Sequence, residues 1–464
     1  MVSRLLVAIL VFPACLTAQA PRDLVPLVNR VFTRWDSTTG PGCAVGIDRP
    51  GAPRFTSAFG SADLEYDIPN KGETIFEAGS VSKQFTAAAT VLLALEGKLN
   101  LADDVRKYVP ELPTYERPVT IRHLLNHTSG LRDWGEIAAI AGWPRETRVH
   151  THDHVLDILS RQRALNYPPG DRYSYTNSGY NLLAIIISRV SGKPFATFSR
   201  ERLFQPLGLT STQWRDDFRR VVKGRAQAYS RATGGQWELE MPFENVHGNG
   251  GLLTTVSDLL TWTAMLDHPT PQWKAMVDSL HVRGRLTKGD TIDYALGLVV
   301  HNYRGIPMVD HSGATAGYRA ELGRFPGKGV AIAVLCNAAS ANAVAYATTL
   351  ADSILGPALG PVAAARPPAP HADTASWRPS ASDLAAYAGT YYSSDVETTL
   401  EVSVANGTLM LFRRPAERIA LRPTSRDTFT GFDDRLWFTR DASGKVTAMH
   451  VAGSRAYNVL FERR

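Results

Sequence analysis

Strand-like segments stand at both ends of the first 355 residues of this chain, and helical patterns fill the sequence between them. Residues 42–48 and 54–60 alternate around a Pro/Gly turn, which is typical of a β-hairpin. Strand character returns late in the chain, at 294–303, 308–313, 318–326 and 329–337. We therefore predict an α/β (α+β) fold in which one antiparallel sheet takes strands from both ends of this region. Helices flank the sheet, and a helical region is inserted in the middle.

The chain beyond this region has a different character. Residues 356–380 are rich in Pro and Ala and show no periodicity, which predicts a linker. Short alternating strands follow over 381–464, with Asn406-Gly407 as a hairpin signal. We expect residues 21–355 to form one domain and 381–464 to form a separate small all-β barrel or sandwich.

Residues 1–20 have the pattern of an export signal. Arg4 precedes an apolar run, and Ala18-Gln19-Ala20 offers small residues where signal peptidase cleaves. The segment is too short to span a membrane. We expect a periplasmic or secreted protein. Cys15 leaves lipid anchoring to a membrane open as an alternative, although its context FPAC matches a lipoprotein box poorly.

A serine and a lysine stand at the start of a nearly all-apolar segment that predicts a buried helix ending at Gly97. Ser80 and Lys83 are three residues apart, so they share a helix face. A helix N-terminus favours a negatively charged oxygen, and a lysine in an apolar pocket tends toward a lowered pKa. Such a lysine can take the serine proton. The alternative is an N-cap serine followed by a surface lysine.

A second polar segment lies at 173–183, after a Pro-Pro-Gly turn and before an apolar helix. Tyr175 beside a lysine could have a stabilised phenolate and act as a general base. Asn177 can give and accept hydrogen bonds at once. The alternative is a buried tyrosine with a turn-forming asparagine.

The third segment is 309–317, where a strand ends in His311, Ser312 and Gly313. Small residues there let the backbone approach a ligand closely, and its N–H groups could form half of an oxyanion hole. The alternative is a strand end with an incidental histidine.

The motifs SVSK, YTN and HSG, in this order and spacing, resemble those of the serine β-lactamase and penicillin-binding-protein superfamily, most closely its class C β-lactamase branch. Segments 120–131, 169–183 and 248–259 also look like that branch, and the resemblance covers about residues 23–355. It implies a β-lactamase/transpeptidase-like fold. The C-terminal segment is similar to the lipocalin-like β-domain of D-aminopeptidase-type members.

The resemblance also implies roles for individual residues. Ser80 would be the acylated nucleophile, and Lys83 and Tyr175 would share proton transfer. Asn177 would orient the lysine and the substrate amide. The backbone N–H groups of Ser80 and Ala314 would form the oxyanion hole.

One position departs from the family pattern. His311 stands where β-lactamases of this branch usually carry the lysine of Lys-Thr-Gly, and it would bind substrate together with Ser312 and Gly313. An imidazole is a weaker anchor for a carboxylate than an ammonium group. This departure favours peptidases and esterases of the group over efficient β-lactamases.

The sequence thus predicts an exported serine hydrolase that acts through an acyl-enzyme on amides or esters, such as D-amino-acid peptides or peptidoglycan fragments. The alternatives are a broad carboxylesterase, a weak β-lactamase, and a catalytically silent penicillin-binding or scaffold protein. We expect a small-molecule or peptide substrate and no cofactor or metal. The net charge of +6 is spread among interleaved acids and bases, so no nucleic-acid partner is expected. Oligomeric state stays open.

Three further features receive structural interpretations. Cys43 and Cys336 lie in apolar strand-like runs, and we expect two buried thiols rather than a disulfide. The histidine-rich segment 150–154 is interpreted as a solvated helix start rather than a metal site. His123 and His127 are expected to fix a short helix and turn.

Overall fold

The protein is described by a computed structural model over residues 23–145, 147–361 and 377–464. The predicted export signal, Cys15 and most of the predicted linker lie outside these residues. The described helices are α1 (Val25–Phe32), α2 (Lys83–Leu95), α3 (Ile121–Leu125), α4 (Trp134–Ile140), α5 (His152–Ser160), α6 (Asn177–Ser191), α7 (Phe195–Ser199), α8 (Val256–Asp267), α9 (Pro271–Leu280), α10 (Ala343–Leu355) and α11 (Ala381–Ala385). None of these described helices has the length and apolar character needed to cross a membrane.

The strands fall into two large sheets and several short ribbons. Those of the N-terminal part are β1 (Cys43–Asp48), β2 (Phe55–Phe59), β3 (Ser61–Asp63), β4 (Ile68–Pro69), β5 (Phe76–Glu77), β6 (Gln213–Trp214), β7 (Tyr229–Arg231), β8 (Trp237–Leu239), β9 (Leu252–Thr254), β10 (Val299–Tyr303), β11 (Ile306–Thr315), β12 (Tyr318–Phe325) and β13 (Val330–Cys336). Those of the C-terminal part are β14 (Gly389–Ser393), β15 (Thr398–Ala405), β16 (Thr408–Arg413), β17 (Glu417–Ser425), β18 (Thr428–Thr430), β19 (Arg435–Arg440), β20 (Val446–Ala452) and β21 (Val459–Arg463).

One six-stranded antiparallel sheet has the order β10-β11-β12-β13-β1-β2, so the first strand of the chain pairs with the last strand of this region. The central strand β13 is buried along its whole length because both faces of the sheet are covered. Along the strands of this sheet, alternate side chains face α8 and the helical region on one side of the sheet, and α1 and α10 on the other. The predicted fold class is confirmed, including the sheet shared between the two ends.

Helix α2 runs through the helical region and is buried on all sides, apart from its last turn. It packs against α6 and α9, and Gly97 follows it with a φ of +69°, a left-handed conformation that suits glycine. Ser80 lies just before α2, in a 3₁₀ turn at Gly79–Ser82. The predicted buried helix is therefore confirmed, but the serine belongs to the turn that leads into it.

The C-terminal strands β14 to β21 close into an eight-stranded antiparallel barrel. Its interior is filled by alternate apolar side chains, among them Leu400, Leu411 and Phe461. Closure leaves the barrel without free strand edges. The predicted all-β unit is confirmed as a barrel.

Cys43 and Cys336 form a disulfide, so the prediction of two buried thiols is wrong. The two residues are direct partners in the pairing of β1 with β13, 293 positions apart in sequence. Apolar strand segments are compatible with two buried thiols and with a disulfide, so the sequence could not decide between them. The register of the sheet shows that the two cysteines are paired. The bond joins the two ends of the region at the centre of its sheet.

The histidine predictions have mixed outcomes. His123 caps α3, since its Nδ1 accepts from the Thr120 N–H while the Thr120 hydroxyl accepts from the His123 N–H. This part of the prediction is confirmed. The solvated start predicted for 150–154 is wrong in its exposure, because His150 is buried and the ring of His152 packs against that of His247. Helix α5 does begin there, with a capping box between Thr151 and His154.

Removing the disulfide is expected to destabilise the N-terminal part strongly. A crosslink closing so long a loop restricts the unfolded chain, and losing a native disulfide typically costs about 2–5 kcal/mol. We expect a Cys43→Ala/Cys336→Ala variant to unfold at correspondingly lower urea concentration, matching the reduced wild type. Iodoacetamide should label neither cysteine in unfolded wild-type protein until reductant is added. Labelling without reductant would contradict the assignment.

Candidate active site

Ser80 lies on the floor of a cleft of about 550 Å³ between the helical region and strand β11. Two glycines bring the backbones on either side into direct contact. A Cβ at Gly79, whose φ is +50°, would lie 2.6 Å from the Ala314 nitrogen. A Cβ at Gly313 would lie 2.1 Å from the Ala78 oxygen and 3.1 Å from the Ser80 nitrogen. Only glycine fits at either position, and this contact places Ser80 and Ala314 on one wall of the cleft.

Lys83 is completely buried, and its amine points at Ser80. Nζ lies 3.0 Å from Ser80 Oγ, 3.0 Å from Asn177 Oδ1 and 2.7 Å from the Asn249 carbonyl oxygen. Burial lowers the pKa of this amine well below its usual value, and the positive charge of Arg455 lowers it further. A lysine with a depressed pKa is a base rather than a fixed cation.

The three contacts of Lys83 define how a neutral amine would be arranged. A neutral amine has two hydrogens and one lone pair. The oxygens of Asn177 and Asn249 can only accept, so they take both hydrogens. The lone pair is then left facing the Ser80 hydroxyl, which is the arrangement needed to remove its proton.

Tyr175 lies beside the same amine, with Lys83 Nζ 4.7 Å from the centre of its ring. Its hydroxyl is buried and has no hydrogen-bond partner among the described residues. Burial raises the pKa of the phenol, although the neighbouring Ser80 hydroxyl opposes the increase. The expected phenolate base is therefore disfavoured, and the group present is a neutral phenol, which is a proton donor.

Asn177 is the first residue of α6, and hydrogen bonds on the side away from the cleft fix its position. The Asn177 N–H donates to Asp133 Oδ2 over 2.7 Å, and the hydroxyl of the N-cap Thr176 accepts from the Ser178 N–H. With Oδ1 engaged by Lys83, the side-chain nitrogen is left to face the cleft. Asn177 can thus hold the lysine and donate to a substrate carbonyl together.

His311 lines the cleft on β11 but is tightly held and uncharged. Its Nδ1 donates to the Ser312 carbonyl oxygen over 2.7 Å, and its Nε2 accepts from the Tyr294 hydroxyl over 3.0 Å. Burial and, to a smaller extent, the neighbouring Lys83 together lower its pKa to about 4. At neutral pH this side chain offers no positive charge to a substrate. Ser312 and Ala314, by contrast, are exposed to the cleft.

The structure brings all the predicted site residues to one cleft, but the sequence alone missed several others. Asn249 supplies the third oxygen to Lys83, and its glycine-rich surroundings at 248–251 were the available signal. The cleft is also lined by Arg145, Arg319 and Arg455. These arginines come from three distant parts of the chain and carry no local motif. The described residues include no group of three or more His, Cys, Asp or Glu side chains placed to hold a metal ion.

Comparisons with known proteins agree with this geometry. Residues 27–356 match the family described as Beta-lactamase, and residues 375–462 match a domain of unknown function, DUF3471. Penicillin-binding protein 4* of Bacillus subtilis is 32% identical over 290 residues, covering 58% of this chain and 62% of that protein. D-aminopeptidase of Brucella anthropi is 28% identical over 305 residues, covering 64% of this chain and 56% of that protein. The chain spans only 62% and 56% of the length of these two curated relatives.

Solved structures share the fold. The octameric penicillin-binding protein homologue from Pyrococcus abyssi superposes with a TM-score of 0.63 at 24% identity, covering 95% of this chain and 99% of that one. D-amino acid amidase from Ochrobactrum anthropi SV3, complexed with L-phenylalanine, gives a TM-score of 0.60 at 22% identity, covering 71% of this chain and 98% of that one. At these identities the likeness concerns the fold alone.

Replacing Lys83 tests whether its amine activates Ser80. Lys83→Met keeps most of the side-chain volume and removes the base. We expect fluorophosphonate labelling of Ser80 to slow by about 10²–10⁴-fold, the usual contribution of a positioned base. The exposed Lys274 on α9 offers a matched control, and Lys274→Met should label at the wild-type rate. Wild-type labelling of a well-folded Lys83→Met protein would contradict the assignment.

The neutral His311 predicts a pH dependence of stability. Its pKa is about 4 in the folded protein and about 6.5 in an unfolded chain. The unfolded state therefore binds a proton first, and stability is lost as the pH falls from 6.5 toward 4. We expect His311→Asn to reduce the loss of unfolding free energy between pH 7 and 4.5 by about 2–3 kcal/mol. Urea titrations at both pH values measure this, and equal losses in both proteins would contradict it.

Proposed function

The chain belongs to the β-lactamase family of serine hydrolases, and we propose that it cleaves amide or ester bonds through an acyl-enzyme formed on Ser80. The observation that carries the proposal is the buried Lys83 amine, 3.0 Å from Ser80 Oγ, with two other oxygens to hold its hydrogens. A surface lysine or a simple N-cap serine would not be arranged in this way. The intact arrangement of Ser80 and Lys83 argues against a catalytically silent scaffold protein.

Acylation follows from the contacts. Lys83 takes the proton of the Ser80 hydroxyl as Oγ attacks the substrate carbonyl carbon. The oxygen of the resulting tetrahedral adduct is stabilised by the backbone N–H groups of Ser80 and Ala314. The adduct then collapses, and the bond to the leaving nitrogen or oxygen breaks.

The leaving group needs a proton, and Tyr175 is placed to supply it. Its hydroxyl is buried beside Ser80 and is held neutral by burial. After this step Tyr175 is a phenolate, and Lys83 passes to it the proton that came from Ser80, which restores the neutral phenol. In deacylation, a water molecule attacks the ester carbon by the reverse route, releasing the carboxylic acid and restoring Ser80.

The substrate class is proposed from the relatives. D-aminopeptidases are among the curated proteins most similar to this chain, which favours D-amino-acid peptides or peptidoglycan fragments as substrates. A broad carboxylesterase is the second candidate, because the same Ser80–Lys83 arrangement can attack an ester as well as an amide. Efficient β-lactam hydrolysis is the least favoured, because the neutral His311 occupies the position from which the family lysine binds a β-lactam carboxylate.

We also propose that the protein works outside the cytoplasm. The predicted export signal suggests it, and the disulfide between Cys43 and Cys336 supports it, since such bonds persist mainly in oxidising compartments.

Covalent labelling tests the proposed function directly. A fluorophosphonate or a penicillin should add one adduct mass to the intact protein, located on Ser80 by peptide mapping, and Ser80→Ala should stay unlabelled. D-Alanyl p-nitroanilide should be cleaved faster than its L isomer if D-peptides are the substrates. Faster turnover of p-nitrophenyl butyrate with no stereoselectivity would favour the esterase. A folded protein that no acylating probe modifies would overturn the proposal.

A further inference from the structure

A loop of the C-terminal barrel enters the cleft of the catalytic region. Residues 453–458 connect β20 to β21, and Arg455 in this loop lines the same cleft as Ser80. Its guanidinium carbon lies 5.2 Å from the centre of the Tyr175 ring. The side chain is half-buried. The cleft is therefore built by two separate units of the chain.

The loop is fastened on both sides of Arg455. The Arg455 N–H donates to Glu136 Oε2 over 2.8 Å, and its carbonyl oxygen accepts from the Asp133 N–H and from Asn166 Nδ2. The Tyr457 hydroxyl donates to Ser174 Oγ over 2.8 Å, one residue from Tyr175. A loop held at so many points presents its side chain in a fixed position, which lowers the entropic cost of binding.

The barrel is also joined to the catalytic region beyond this loop. The buried Arg132 forms an ion pair with Asp395 over 2.8 Å, and Gln162 donates to the Asp395 carbonyl oxygen over 2.7 Å. Arg413 and Arg414 donate to carbonyl oxygens at the end of α4. The position of Arg455 is thus set by an extended interface.

The charge in the cleft is one-sided. Its described lining includes Arg145, Arg319 and Arg455 and no acidic residue. Arg145 is paired with Glu244, and Arg319 donates to the backbone oxygens of Ala316 and Tyr318. The guanidinium of Arg455 forms no ion pair and no hydrogen bond within the described ranges, so its donors are available.

We propose that Arg455 is the carboxylate-recognising residue of this active site, and that the preferred substrates are peptides with a free terminal carboxylate. Its planar guanidinium can bind a carboxylate through two parallel hydrogen bonds. Arg455 thereby supplies the positive charge for a substrate carboxylate that the uncharged His311 does not supply. A free substrate ammonium finds no acidic partner in the described lining, so a carboxypeptidase-like preference is expected over an aminopeptidase-like one. The inference rests on the proposed function, namely that the substrate is cleaved at Ser80.

Binding to an inactive protein tests Arg455 without turnover. N-acetyl-D-alanyl-D-alanine and its C-terminal amide differ only in the carboxylate, and Ser80→Ala protein cannot be acylated by either. By calorimetry we expect the acid to bind about ten- to a hundred-fold more tightly than the amide, the size of a charge-assisted bond. In Ser80→Ala/Arg455→Met this difference should disappear, and Arg455→Lys should restore part of it.

A matched control removes the same charge elsewhere on the barrel. Arg435 on β19 is exposed and does not line the cleft. Ser80→Ala/Arg435→Met should keep the full preference for the acid. Equal binding of acid and amide, failure of both to bind, or a preference that survives Arg455→Met would each overturn the inference.

Turnover by the otherwise wild-type protein extends the test to catalysis. Four peptides combine a free or acetylated N-terminus with a C-terminal acid or amide. We expect kcat/KM to follow the carboxylate and not the amine, and Arg455→Met to remove that dependence while fluorophosphonate still labels Ser80. An unlabelled Ser80 would overturn the proposed function, whereas the calorimetric comparison would still decide on Arg455. A role limited to packing on Tyr175 predicts equal losses for acid and amide, which would also overturn the inference.

Discussion

The burial of one amine is the constraint on which the rest of this site depends. Removing a charged ammonium from water is costly, so burial lowers the pKa of Lys83 and favours its neutral form. Its neutral form is stable there only because Asn177 and Asn249 accept its two hydrogens. The same contacts leave its lone pair toward Ser80. The complete burial of Lys83 among these groups therefore produces the base.

That arrangement requires distant segments to meet with little tolerance. Gly79 and Gly313 let the turn bearing Ser80 press directly on β11, where any larger side chain would collide with backbone atoms. Strand β11 is held in turn by the sheet in which β1 pairs with β13, and the disulfide joins these two strands. The catalytic turn is thus supported by residues near both ends of the region, with the helical insertion closing the cleft from the other side.

The sequence predicts those parts of the site whose signal is local. Ser80 and Lys83 are three residues apart, and the apolar run after them indicates burial directly. Tyr175, Asn177 and His311 come from segments whose convergence was implied only by resemblance to a family. Two features had no local signal at all. The Cys43–Cys336 bond depends on the register of two strands far apart in sequence, and Arg455 depends on how a separate barrel docks. The sequence also did not indicate that burial raises the pKa of Tyr175 and disfavours the phenolate form.

Through Arg455, the barrel places one positive charge close enough to affect both substrate binding and the Lys83 amine. Arg455 contributes to the lowered pKa of Lys83, because two positive charges in one cleft oppose each other. A carboxylate bound at Arg455, as proposed, would cancel part of that charge and raise the pKa of the amine. On the proposed binding mode, Lys83 would be a stronger base with an anionic substrate bound than in the empty cleft. A neutral substrate would give no such increase, so the cation proposed to select the substrate would also strengthen the base that activates Ser80.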